Sequence, residues 1–130
     1  MFLIFGTLRD LVYLINAEHL FVDGTFSPTP IPLCVWPNAR SAQIFTINSL
    51  FGLPNSQRLY TRLYVLTTRR TERFYRLMYA AIFQIFADNV AGFTPLSLNW
   101  KRVSMDFELA HISAISADVL VLPHYHWKSL

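Results

Sequence analysis

Phe74, Leu77, Met78, Ala81, Ile82, Ile85 and Phe86 recur at i, i+3, i+4, i+7, i+8, i+11 and i+12, the clearest periodicity in the chain. That spacing lays an apolar stripe along one side of a helix, so Arg70–Asn89 is predicted helical. A helix with such a stripe must pack on a sheet or on a second helix. The rest of the chain has to supply that surface, and at 130 residues it does so within one domain. With 53% hydrophobic and 15% charged residues, it is too apolar for a disordered chain. Part of its apolar surface is expected to face more protein.

The other elements follow in order. Thr7 is a helix cap with Asp10 three residues later, and Leu8, Leu11, Val12 and Ile15 keep helical spacing, giving a helix over Thr7–Ala17. His19–Phe26 reads as a buried strand. Ser27–Arg40 contains Pro28, Pro30, Pro32 and Pro37 and is an extended connection, in which Cys34 acts as a small apolar residue. Ala42–Phe51 and Arg58–Thr68 read as two further strands around a turn at Leu53–Gln57. The three strands form an antiparallel meander. After the long helix and a loop at Gly92–Asn99, Trp100–Met105 is a fourth strand. Leu109, Ile112 and Ile115 mark a third helix, and Val119–Leu122 a fifth strand. A last helix opens at His124–Lys128. This order predicts an α/β fold: three antiparallel strands feeding helix-linked parallel strands in one mixed sheet. Within residues 1–130 it assigns the N-terminal helix to 1–18, the meander to 19–68 with a Pro-rich insertion at 27–40, and helix-strand-helix-strand to 69–130.

Cysteine usage and the start of the chain narrow the setting. One cysteine excludes an internal disulfide and a Cys-only zinc site. Met1–Phe5 is apolar but gives way to Gly6, Arg9 and Asp10, too short for a membrane span and without a basic start. The expectation is an intracellular protein, neither secreted nor membrane-bound. A formal net charge of +3 is compatible with a nucleic-acid partner without establishing one.

Three groups of residues carry candidate chemistry. Asp23 stands among apolar neighbours, and an ionised carboxylate there needs a pair, hydrogen bonds or a cation. Locally, Asp23-Gly24 also reads as a hairpin turn. Asp106 stands where a strand ends and a helix begins; its plain role is an N-cap. If the first and fourth strands lie side by side, the two carboxylates meet at one edge of a pocket, where hard oxygen ligands suit Mg²⁺ or Mn²⁺. Six of the eleven basic residues, Arg58, Arg62, Arg69, Arg70, Arg73 and Arg76, fall between positions 58 and 76. A solvated cationic face is the plainer reading, and a phosphate-contacting patch for DNA is the functional one.

The segments Phe21-Val22-Asp23-Gly24-Thr25-Phe26, Met105-Asp106-Phe107-Glu108-Leu109-Ala110 and His124-Tyr125-His126-Trp127-Lys128 resemble, in order and spacing, the transposase domain of Mutator-like elements. Phe5-Gly6-Thr7, Gln43–Ile47, Tyr64-Val65-Leu66 and Thr71–Tyr75 match as well, so the resemblance spans nearly the whole chain. It implies an RNase H-like fold and a metal-dependent triad of two Asp and one Glu that cuts and joins DNA ends. By position, Asp23 corresponds to the first catalytic and metal-binding Asp and Asp106 to the second, which displaces the turn and cap readings. Glu108 becomes a supporting residue at the helix start. His124 and His126 fall at the family's Cys-x-x-His motif, with Pro123 where its Cys stands. The family's catalytic Glu lies further downstream, and none of these residues is assigned to it. The expectation is therefore a core truncated before the last catalytic helix, inactive alone. Mg²⁺ or Mn²⁺ would be its cofactor, transposon-end DNA its ancestral partner, self-association into a homo-oligomer a further option, and the nucleus its setting. The alternative is a transposon-derived, non-catalytic DNA-binding or protein-interaction module.

Overall fold

The computed structural model describes residues 2–25, 43–67, 71–105, 114–115 and 126–127. Its order is β1 (Phe2–Phe5), α1 (Leu8–Asn16), β2 (His19–Thr25), β3 (Gln43–Phe51), β4 (Arg58–Thr67), α2 (Glu72–Asn89), a 3₁₀ turn at Pro95–Ser97, β5 (Arg102–Met105) and β6 (His126–Trp127). The strands form one mixed sheet in the order β1-β4-β3-β2-β5-β6. β1, β4, β3 and β2 each run antiparallel to their neighbours, and β5 and the two-residue β6 run parallel to β2. The chain is thus α/β, as expected. Among the described residues, no helix is long and apolar enough to cross a membrane.

α1 starts at the predicted Thr7 cap, and α2 starts after a cap at Thr71, within the range predicted from Arg70. The Thr7 hydroxyl accepts from the Asp10 backbone N–H at 3.1 Å and donates to the Asp10 carboxylate at 2.8 Å. The Thr71 hydroxyl accepts from the Phe74 N–H at 3.1 Å, satisfying one of the open donors of the first turn of α2. Thr71→Ala is expected to cost about 1 kcal/mol in urea unfolding and leave the far-UV spectrum unchanged.

α1 and α2 cover one face of the sheet. Leu11, Leu14 and Ile15 of α1 and Phe74, Tyr75, Met78, Tyr79, Ile82 and Phe86 of α2 are buried there. They meet the inward residues of the strands, such as Leu20, Val22, Ile47 and Val65, each at most 3% exposed. Each large side chain so buried contributes roughly 1.5–3 kcal/mol. The stripe of α2 is rotated from the predicted one: Leu77 is 51% exposed, while Tyr75 and Tyr79 are buried.

Two expectations are corrected. The N-terminal helix assigned to 1–18 is confined to Leu8–Asn16, and Phe2–Phe5 ahead of it is an edge strand paired with Tyr64–Thr67. Asp23 and Gly24 lie in the expected strand rather than in a turn, opposite Thr46 and Phe45. Gly24 is needed for packing, because a Cβ there would lie 2.8 Å from the Phe45 ring. The helix start expected at His124–Lys128 is replaced at His126–Trp127 by β6, in register with Arg102–Val103. Ala114 and Ile115, within the helix expected after Asp106, are helical and fully buried. The insertion at 27–40, Cys34 and the strand expected at Val119–Leu122 lie outside the described residues.

Candidate functional site

The strand order locates the site. From β2 the chain runs to β3 and β4 on one side, then crosses through α2 to β5 on the other. The order therefore reverses between β2 and β5. In open α/β sheets, ligands bind in the crevice at such a reversal, outside the carboxyl ends of the parallel strands. β2 and β5 pair in the register Leu20↔Val103, Phe21↔Ser104, Val22↔Met105. Asp23 follows at once, two residues before β2 ends.

Alternation along β2 decides where Asp23 faces. Leu20 and Val22 point into the core under the helices, so His19, Phe21 and Asp23 occupy the opposite face. The Asp23 side chain is exposed and stands across from Thr46 of β3. That face is held by polar contacts. The Asn48 amide donates to the Phe21 carbonyl at 2.9 Å and to the Thr46 hydroxyl at 3.0 Å, and it accepts from the Thr61 hydroxyl at 2.7 Å. Asn48 is only 6% exposed, and this set of bonds is what makes its burial tolerable. Asp23 therefore projects from a rigid three-strand platform.

His19 and Ser104, which the sequence did not single out, also face this side. His19 Nε2 lies 2.6 Å from Ser104 Oγ, and its ring stacks on Phe21 at 4.0 Å. A serine–histidine contact invites a nucleophile reading, but the Ser104 side is buried, at 3% exposure. His19 is also four residues from Asp23, roughly 13 Å along the strand. The pair ties the start of β2 to β5.

Asp106 and Glu108, together with His124, lie outside the described residues; of His126 only the backbone, in β6, is described. Among the described residues, no three His, Cys, Asp or Glu side chains converge as a metal-holding group. These residues thus offer Asp23 as a single hard oxygen donor, and one exposed carboxylate does not hold a divalent ion. A metal site at this position requires donors from beyond the described residues.

The arginines do not form one patch. Arg62 is 6% exposed, which removes it as a DNA contact. It is the extra residue of a β-bulge: Ile47 pairs with Leu63 and Asn48 with Thr61, leaving Arg62 unpaired between them. The bulge turns Arg62 towards α1. Its Nε donates to Ser49 Oγ at 2.9 Å, and its guanidinium pairs with Asp10 at 3.4 Å. The same group lies 4.6 Å from the ring centre of Tyr13 and 5.1 Å from that of Tyr60. Arg58 is exposed at the opposite end of β4 from α2, roughly 30 Å along the strand. Arg73 and Arg76, both exposed, line a shallow groove on α2 with Glu72, Leu77 and Ala80. Arg69 and Arg70 lie outside the described residues.

No family model matches the chain, and no curated protein or solved structure matches it.

Proposed function

We propose that the chain is the front part of a transposase catalytic core of the Mutator-like kind, carrying two of three catalytic acids and inactive on its own. One observation carries the reading: the parallel register Val22↔Met105 at the reversal of strand order. Asp23 and Asp106 each come next in sequence, and covalent geometry allows each no more than one residue step, about 3.8 Å, from that register pair. The sheet gives further support. Disregarding β1, its order β4-β3-β2-β5-β6 is three antiparallel strands followed by two parallel ones, the arrangement an RNase H-like core requires.

In this reading, Asp23 and Asp106 hold Mg²⁺ or Mn²⁺, with Glu108 supporting Asp106 from the helix start. Two adjacent carboxylates repel unless a cation lies between them, so the pair is a reason for metal affinity in itself. DNA is the ancestral substrate, and a nuclear setting goes with it.

The test is a calorimetric Mn²⁺ titration of the chain, of Asp23→Asn, and of the Asp23→Asn/Asp106→Asn double variant. Weak binding by the wild type, reduced in the single variant and lost in the double one, is the expected result. No DNA cleavage is expected from the wild type. A folded wild-type chain that binds no Mn²⁺ would sink the proposal. The alternative is a non-catalytic DNA-binding or protein-interaction module, whose DNA-binding form loses the buried Arg62 and keeps the exposed Arg58, Arg73 and Arg76. Salt-dependent DNA affinity that survives the double Asp variant and falls with Arg73→Ser/Arg76→Ser would favour that alternative.

A further inference from the structure

β1 is the outermost strand of the sheet, and among the described residues nothing pairs with its free edge. Such an edge presents alternate N–H and C=O groups with no ladder partner, a template on which another extended strand can pair. Natural edges are usually blunted by a lysine, a proline or a bulge. Phe2–Leu8 contains no charged residue and no proline, and β1 pairs with β4 in unbroken register. Next to this edge lies an apolar surface. Leu3 is 39% exposed and Phe5 50%, and Tyr64, directly across from Phe5, is 49% exposed.

We propose that β1 pairs antiparallel with β1 of a second copy of this chain, joining two sheets across a two-fold axis. Self-complementarity selects this occupant. An isologous contact brings the same patch together from both sides, and an uncharged strand meets its own copy without like-charge repulsion. The pairing also brings Leu3, Phe5 and Tyr64 of one copy towards those of the other. A four-residue strand pair buries little area, so the dimer is weak and concentration-dependent.

The experiment is sedimentation equilibrium from about 1 μM to about 1 mM, on the wild type and on Leu3→Lys/Phe5→Lys. The wild type is expected to rise towards twice the chain mass, while the variant, with exposed positions changed, keeps its far-UV spectrum and stays at the monomer mass. A wild type that stays monomeric throughout, or a variant that dimerises equally well, overturns the proposal. Amide exchange on the wild type tests the edge without any substitution. Exchange in Phe2–Phe5 is expected to slow as concentration rises, and exchange there that is independent of concentration overturns the proposal whatever the variant does.

Discussion

Arg62→Ala is expected to lower the unfolding free energy by about 3 kcal/mol, measured by urea denaturation followed by far-UV circular dichroism. Breaking a buried ion pair by removing one partner typically costs about 3–5 kcal/mol, because the other charge is left without compensation. The lower end applies here: the Asp10 side chain is 23% exposed and keeps the Thr7 hydroxyl as a donor. The loss extends beyond the charge. Ser49, 1% exposed, would lose its 2.9 Å donor, and the rings of Tyr13 and Tyr60 would lose the cation packed against them. Arg62→Lys is expected to recover only part of the deficit, since an ammonium lacks the planar fork that reaches Ser49 and Asp10 together. DNA affinity per folded molecule should not change in either variant. A cost below about 1 kcal/mol for Arg62→Ala would show that this cluster does not hold α1 to the bulge.

Trp100→Ala should cost more, about 3–5 kcal/mol, as for other large aromatic truncations in a core. The Trp100 indole is 3% exposed, packs against Phe83 at 5.8 Å and Phe86 at 6.2 Å, and donates its N–H to the Leu14 carbonyl at 2.7 Å. It therefore fastens α2, α1 and the approach to β5 together. Neighbouring backbone bonds extend the seam, from the Asn99 N–H to the Ile15 carbonyl at 3.0 Å and from the Lys101 N–H to the Glu18 carbonyl at 2.7 Å. Trp100→Phe separates the two contributions. It keeps most of the packing but takes one of two donors from the Leu14 carbonyl, which still accepts from the Ala17 N–H at 3.2 Å, for an expected loss of about 0.5–1.5 kcal/mol. Since the chain has three tryptophans, unfolding is better followed by circular dichroism than by fluorescence. Equal costs for the two variants would show that the hydrogen bond, not the ring volume, carries the effect.

What the sequence revealed depended on how local the deciding physics was. α1 and α2 were legible because the Thr7 cap of the first and the helical apolar repeat in both act within a few residues. The exposure of Leu77 was not legible, because periodicity marks a broad apolar arc, while the sheet chooses which part of it to cover. β1 was missed for a related reason: four apolar residues before Gly6 become a strand only when Tyr64–Thr67 arrive beside them. Asp23-Gly24 is locally a turn dipeptide, but the ladder with Thr46 and Phe45 overrides it. Arg62 reads in its own strand as an ordinary surface cation, because its burial follows from a bulge that only pairing with β3 creates. For the candidate site, Asp23 stood out on the expectation that it is buried among its apolar neighbours, but alternation puts its side chain on the exposed face, where that cost does not arise. His19, Ser104 and Asn48 did not stand out, since their roles arise only from cross-strand pairing.

The partnership of β2 and β5 has a cost in time. His19 and Ser104 touch although 85 residues separate them, and the crossover through α2 must be complete before they meet. At about 5–20 residues per second, a ribosome adds that length in roughly 4–17 s. For that interval the nascent chain holds β2 with one side unzipped and the apolar side chains of Leu20 and Val22 short of their final cover. Contacts so distant in sequence also slow folding after release. The edge of β2 that comes to frame the candidate site is thus among the last to close, and until then it is the place where a chaperone has most to protect.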